Sequence, residues 1–552
     1  MKKKVLSMVL ACVTSLSLVA CGSGSSTSVS ESTGGAAVSS SKGEETVVNV
    51  AMTTTMGDLD PFGAPTQGRN FLRYAIYDNL AIFKDFGTTW DKMQWVIAKN
   101  IVQKDDTTYD IEIYDYVKDA AGNDITADDI VFCIESMANS GNFTRYTNYL
   151  DSVTKMDDYN VEIKLKTTTV GALEYILAQT CIVDKDTYEA NKDQYSTEPI
   201  TTGAYQVTEC VQGASYTLEK NENYWQTDDS LRGYNTVANP GIDKFVYNII
   251  TENSQATMAL QMGEDQLITV VGNNEISYFM DENGNALDGY NVSKTLNSTS
   301  TVLSFNMDPE NSVFADNLAL RQAICYAIDR DSIVKVGLQG NGEVMNDLAD
   351  KLCADYNQDW ESEDYYNYDL DQAKALMEDA GYKDGIDPTT GQALSLSLLV
   401  DQQYKDAAVV LQSQLAAIGI NLEINALDNS LCATYQFDPT KWDLYQFIQG
   451  TECYVTSVYD GIFEAGKDGR SPKSFAEDEQ LQNLIKKEAH DVSTHSQDSV
   501  DALHDYVKDN ALAYGLYQDY TYSASVDSIG IVVHPWGQLV APACDYSAYL
   551  AQ

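Results

Sequence analysis

From Thr46 onward the chain alternates two hydrophobic periods, and that alternation limits the folds open to it. The stretches "TTYDIEIY" (Thr107–Tyr114) and "YNVEIKLK" (Tyr159–Lys166) carry apolar residues at every second position, as half-buried strands do. "TVVNVAM" (Thr46–Met52), "ASYTLEKN" (Ala214–Asn221) and "IDKFVYNII" (Ile242–Ile250) read the same way. Between such runs, Asn317–Leu338 sets Leu320, Ile324, Ala327, Ile328 and Val334 on one side of a helix. "DLDQAKALMEDAGY" opens on Asp369, an N-cap residue, and stops at Gly381, a residue suited to a helix C-terminus. "AAVVLQSQLAAIGINLEINAL" is a helix, a glycine stop and a strand. The pattern predicts a mixed α/β protein with large lobes, and 552 residues suffice for two to four domains.

The first 45 residues obey different rules. Lys2, Lys3 and Lys4 precede an apolar run, Val5–Ala20, that is too short to span a bilayer as a helix. The run ends in Leu18-Val19-Ala20-Cys21, which resembles the bacterial lipobox, whose cysteine thiol receives a diacylglycerol and becomes the new N-terminus. Gly22–Glu45 is rich in Ser, Gly and Thr, a composition that behaves as a flexible tether. The expectation is a signal peptide (1–20), a lipid anchor at Cys21 and a tether (21–45). The eight later cysteines are scattered without a C-x-x-C, so no zinc site is indicated, and the sequence cannot pair them.

Charge excludes one class of partner. The formal net charge is −47, which repels phosphate backbones, so nucleic-acid binding is not expected. Aromatic residues make up 10% of the chain, including 36 tyrosines, which separates it from acidic disordered chains.

Six segments, in order, carry a family resemblance. They are "LDPFGAP…YAIYDNLAIF", "AGNDITADDIVFCIESM", "TTGAYQVTECVQGASYTLEKNENYW", "ATMALQMGEDQLI", "LSFNMDPENSVFADNLALRQAICYAIDRDSIV" and "DLDQAKALMEDAGY". Together they resemble the extracytoplasmic solute-binding proteins of ABC importers, in the family of oligopeptide- and dipeptide-binding proteins. Ala204, where proline is usual, and Asp128, where glutamate is usual, depart from the pattern at turns and lobe packing. Asp129, Arg321, Asp329, Asn221, Tyr224 and Trp225 read as fold determinants, with Asp129 capping a helix.

The resemblance implies a class II binding-protein fold, with two ligand-enclosing lobes, an extra subdomain and a hinge of crossing strands. Motif positions place lobe I at 46–75, 196–298 and 511–552, the lobe II insert at 76–195, and the closing lobe III at 299–510. In peptide binders of this kind a carboxylate meets the ligand ammonium. Counting from Asp443 in "WDLYQFIQGTECYV" gives Glu452, with Gln449 where the family usually has tryptophan. Trp442, Gln449, Gly450, Thr451, Glu452 and Tyr454 are therefore candidate ligand residues. So are Gln67 and Arg69 of the early loop, the arginine for a ligand carboxylate. Trp442, Tyr445 and Tyr454 serve equally well as core or as aromatic walls.

No catalytic residue, cofactor or metal is expected. His490 and His495 lie five apart, off a common helical face, and there is no H-E-x-x-H, G-x-S-x-G or Walker A pattern. "DENGN" (Asp281–Asn285) has its glycine out of phase for a calcium loop and reads as a hairpin turn. The expected protein is a monomeric, lipid-anchored receptor on a Gram-positive surface. It would pass peptides to a permease and its ATPase. The alternatives are an oligosaccharide or metal-chelate receptor and, from another class, a surface peptidase.

Overall fold

The computed structural model describes residues 45–552 except 85–87, 229–230, 232–240, 451–452, 466–469, 472, 535–536 and 538, and except the side chains of 67, 145 and 146. The expected signal, Cys21 and the tether lie outside the described residues, as do Thr451, Glu452 and the side chain of Gln67. No described helix is long and apolar enough to cross a membrane.

Among the described residues, twelve strands share one hydrogen-bonded sheet that divides into two halves. The first half has Val47–Met52 at its centre, parallel to Lys244–Ile249 on one side and to Leu267–Ile268 on the other. Ser215–Lys220 and Tyr205–Val211 continue it outward. The second half is built on Ser395–Asp401, parallel to both Asn421–Leu427 and Leu444–Gly450, the latter antiparallel to Thr299–Phe305.

One 14-residue strand, Ala513–Val526, belongs to both halves. Its start pairs with Thr299–Phe305, and its end pairs with Tyr290–Leu296 and Leu267–Ile268. The chain therefore passes between the halves twice here, at Asn297–Ser298 and near Gln518–Asp519, as antiparallel crossing strands. This is the α/β two-lobed architecture with a crossing-strand hinge. A separate four-stranded sheet, Ala98–Gln103, Thr108–Ile113, Asn160–Leu165 and Leu150–Lys155, forms a smaller unit.

Strand periodicity explains how the second half is filled. Leu396, Leu398 and Val400 pack on one core with Leu320, Ile324 and Leu411, while Leu399 turns to an opposite core with Val458 and Leu503. Each face is covered by helices, so both faces of these strands are apolar.

The helix signals behave as their chemistry requires. Asp369 accepts from the Gln372 amide at 2.9 Å, and Gly381 takes φ +94° beyond the helix Leu370–Asp379. Asp129 caps its helix from the third position while Thr126 holds the N-cap, in a reciprocal capping box. The amphipathic run from Asn317 is broken. The helix Leu318–Ala327 ends, and Asp329 caps a new short helix by accepting from the Ser332 amide at 3.0 Å. Asp281 accepts from the amides of Asn283 and Asn285 at 2.9 and 2.8 Å, closing the turn expected there. Cys133, Cys325 and Cys544 are buried thiols, and burial pushes all three up.

Candidate functional site

A cavity of about 960 Å³ opens where the two halves meet. Its floor is the hinge: Asn297–Thr299 and Asp519–Thr521. The first half supplies Thr66, Asn70 and Val270–Asn274, and the second half supplies Gly337–Gln339, Gln403, Tyr404, Asp406, Ala407, Asn429 and Ile448. These groups follow from topology. Gln403, Asn429 and Val270 lie just past the carboxyl ends of the strands ending at Asp401, Leu427 and Ile268. Loops at that end of parallel strands diverge and leave a crevice.

Local sequence fixes the walls. Thr66 caps the helix Gln67–Ile76 by accepting from the Arg69 amide at 3.3 Å. Gly68 is obligatory, because a Cβ there would lie 2.1 Å from the Thr55 carbonyl oxygen. On the other side, Asp401 accepts from the Gln403 amide at 3.0 Å and sets the turn that presents Tyr404.

The lining is rich in amides and tyrosine. Asn70, Asn273, Asn274, Asn297 and Asn429 join Gln339, Gln403, Tyr404 and Tyr520. Its charged groups, among the described residues, are Asp406 and Asp519. Burial pushes Asp519 up, opposed by a hydrogen bond from Asn297. Burial also pushes Tyr404 up, and burial with Glu343 raises Tyr520 to about 12, so both are neutral hydroxyls at neutral pH. Lys294 lies over the Tyr520 ring at 3.8 Å from its centroid.

A side pocket of about 290 Å³ continues from Gln403, Tyr404, Asn429 and Ile448 to Tyr445, Phe447 and Lys473. There Lys473 donates to the Gln449 side-chain oxygen at 2.6 Å and sits over the Phe447 ring at 4.8 Å.

The residues singled out in the sequence fall in several places. Arg69 is 2% exposed and donates to the carbonyls of Gly63 and Pro61, each at 2.8 Å, so its guanidinium braces the early loop. Gln67 opens the helix Gln67–Ile76 and Arg69 is its third residue, so both stand on a helix rather than in the loop expected there. Trp442 is core, against Phe475 at 5.2 Å and Tyr445 at 5.6 Å, and donates to the Tyr435 carbonyl. Gln449 is buried beside Lys473, and Gly450 ends its strand opposite Thr299. Tyr454 is buried and donates to Glu174 of the smaller unit at 3.4 Å. The strand carrying Gln449 and Gly450 reaches the cavity through Ile448.

Sequence reasoning missed Tyr404, Asn429, Asn273, Tyr520 and Asp519. Their signal was positional: polar residues immediately after a β-pattern, or inside one at the hinge. That signal is legible only once the strands are known to be parallel.

One cluster has metal-ligand chemistry on paper: Glu363, His504 and Asp505 present donor atoms within 4.8 Å of one another. Both His504 nitrogens are already engaged, Nδ1 by Asp347 at 2.6 Å and Nε2 by Glu363 at 2.5 Å. The Lys508 ammonium lies 2.9 Å from Glu363. The cluster is an internal ion-pair network.

The sequence profile of bacterial extracellular solute-binding proteins, family 5 (middle), matches residues 92–462. The oligopeptide-binding protein AppA of Bacillus subtilis is 29% identical over 383 residues, 64% of either chain, so the match spans just under two thirds of that relative. The structure of AppA from Bacillus subtilis with a nonapeptide superposes with a TM-score of 0.69 at 21% identity, covering 90% of this chain and 98% of that one. NikA from Brucella suis with Fe(III)-EDTA superposes with a TM-score of 0.74 at 18% identity, covering 90% and 99%.

Proposed function

The chain belongs to the bacterial extracellular solute-binding proteins, family 5, and on that premise we propose that it is a receptor for extracellular peptides. It captures them between two lobes and delivers them to the permease and ATPase of an ABC importer. The observation that carries this reading is the hinge-floored cavity at the carboxyl ends of two sets of parallel strands. Its five asparagines offer donors and acceptors side by side, which suits the alternating N–H and C=O of an extended peptide backbone. The oligopeptide-binding relative supports the same ligand class. No residue in the cavity is assigned covalent chemistry.

Arg69 braces a loop, and the charged groups lining the main cavity, among the described residues, are acids, while Lys473 of the side pocket donates to Gln449. The favoured peptide is therefore cationic, with Glu452 still proposed as partner of its ammonium end. The lobes are proposed at the boundaries given above, with the smaller four-stranded unit inside the 76–195 insert. Cys21 is proposed as the lipid anchor that keeps a monomeric receptor at the cell surface.

Ligand released from purified protein by denaturation and identified by mass spectrometry tests this function. Short basic peptides are expected. A metal chelate, as in the NikA structure, or an oligosaccharide would replace the peptide reading.

A further inference from the structure

The cavity lies between the two halves, and a second set of contacts joins the second half to the smaller four-stranded unit. The segment Thr168–Val170 forms a short antiparallel ladder with His490–Val492. The Val170 amide donates to the His490 carbonyl at 3.0 Å, and the Val492 amide donates to the Thr168 carbonyl at 2.5 Å. The Thr168 hydroxyl donates to Asp491 at 2.5 Å. One turn further along, the Cys453 amide donates to the Tyr175 hydroxyl oxygen at 2.9 Å, and Tyr454 donates to Glu174. Tyr149 donates to Asp460 at 3.2 Å and meets the His490 ring edge-on at 5.6 Å.

Gly171 lets these surfaces approach. It takes φ +81°, and a Cβ there would lie 3.2 Å from the Tyr454 ring. Cys453 and Tyr454, although carried by the second half, are buried in the core of the first half and the smaller unit. A void of only about 20 Å³ remains at the join, lined by Tyr149, Gly171, Tyr175 and Asp460.

We propose that the smaller unit is a second jaw. Thr168 and Tyr175 are positioning residues that clasp the second half in its closed position, and this clasp contributes to the retention of ligand. The contacts suit reversible use. They are mostly hydrogen bonds from backbone amides and hydroxyls, each of which water can satisfy when the lobes part. Cys453, Tyr454 and the Tyr149 ring bring apolar surface to be uncovered. A ligand shifts a two-state equilibrium by its differential affinity alone, so any contact present only in the closed state lowers what the ligand must supply. Residues that never touch the ligand thereby govern how long it stays. The inference rests on the two-lobed receptor reading but not on the ligand being a peptide.

The test uses the full chain with Thr168→Val/Tyr175→Phe, and with Thr168→Ser as the variant that keeps the hydroxyl. The first readout needs no ligand: hydrogen exchange at the amides of Val170, Cys453 and Val492. The double variant should exchange faster at these amides, Thr168→Ser should match wild type, and the amides of Ala513–Val526 should be unchanged. The second readout is release of a mixture of synthetic lysine-containing peptides. The double variant should release them roughly ten-fold faster, with association unchanged. Exchange equal to wild type at the three amides, acceleration spread over the whole chain, or an unchanged release rate overturns the clasp. If wild type binds none of the peptides, the peptide reading fails and the exchange rates alone decide on the clasp.

Discussion

The side-chain amide of Gln518 donates to the Asn297 carbonyl at 2.6 Å, tying together the two strands that cross between the halves. The same nitrogen donates to Asp350 at 2.6 Å, and the Asn297 amide returns a bond to the Asp519 carbonyl at 2.8 Å. A hinge built this way bends at few torsions while its crossing point stays fixed. Gln518 is 2% exposed, so these bonds have no competition from water.

Gln518→Leu should therefore loosen the hinge and take from the buried Asp350 carboxylate one of its two donors, leaving the Leu352 amide. Burial already pushes Asp350 up, opposed by the Gln518 hydrogen bond. Losing that donor should cost about 1–3 kcal/mol of stability, read as a lower urea midpoint with an unchanged slope. Ligand affinity should fall as well, because the closed state loses its defined axis.

Two buried histidines should give stability a maximum in pH. Burial alone would lower His504, but hydrogen bonds and charge from Asp347 and Glu363 outweigh it and raise the imidazole above its usual value, and Trp360 stacks on it at 4.1 Å. Its contribution is complete below about pH 6.5 and is lost as pH rises through the higher folded value. His534 is the opposite case. Burial, then the charge of Arg73, lowers it to about 3, and it stacks on Tyr74 at 4.4 Å. Its contribution is present above about pH 6.5 and is lost as pH falls from there. Urea midpoints measured across pH should show both limbs. His504→Gln should flatten the alkaline limb, and His534→Phe, which keeps the stacking, should flatten part of the acid limb.

The fold was legible because its signals are local and redundant. The alternation in Thr107–Tyr114, the cap at Asp369 and the stop at Gly381 each follow from one or two residues and their neighbours. The break at Asp329 was not, because an N-cap inside an amphipathic run does not interrupt its periodicity. The cavity was only partly legible. Counting along a motif reaches the strand that ends at Gly450, but Arg69 shows the limit of the method. Its position beside the cleft followed from sequence, whereas its direction depends on the Pro61 and Gly63 carbonyls that a folded loop offers it. Tyr404 and Asp519 are 115 residues apart in the chain and share the cavity only because one sheet carries both the strand ending at Asp401 and the hinge strand Ala513–Val526.

Tyr404 stands at the junction of the cavity and its side pocket, half-buried on a turn and packed against the edge of the second half's core. Tyr404→Ala should lower the melting temperature by a few degrees, for the lost packing at the core's edge, and weaken peptide binding by about 1–2 kcal/mol, roughly ten-fold in Kd. Calorimetric titration with the released ligand measures it. A large loss of stability with intact binding would assign the ring to packing instead.

The acids of the cleft and the net charge of −47 should together make capture depend on salt. A lysine-rich peptide should associate faster at low ionic strength than at physiological salt, while a neutral peptide of equal length should show little change. Stopped-flow association rates for the pair separate field from fit. Equal salt dependence for both would place the charge elsewhere on the surface.

Cys21 offers the simplest test of where this chemistry takes place. The thiol is the atom to which diacylglycerol would be joined, and serine cannot replace it in that transfer. Cys21→Ser should move the protein from the membrane fraction to the culture medium while leaving peptide affinity in solution unchanged, because the cavity is lined from Pro65 onward and the first described strand starts at Val47. A single long acyl chain gives only marginal membrane binding, so the two chains of a diacylglycerol are needed for stable retention. Immunoblotting of cell and medium fractions reads the outcome. Retention of the serine variant on cells would mean that a surface other than the N-terminal lipid holds this receptor in place.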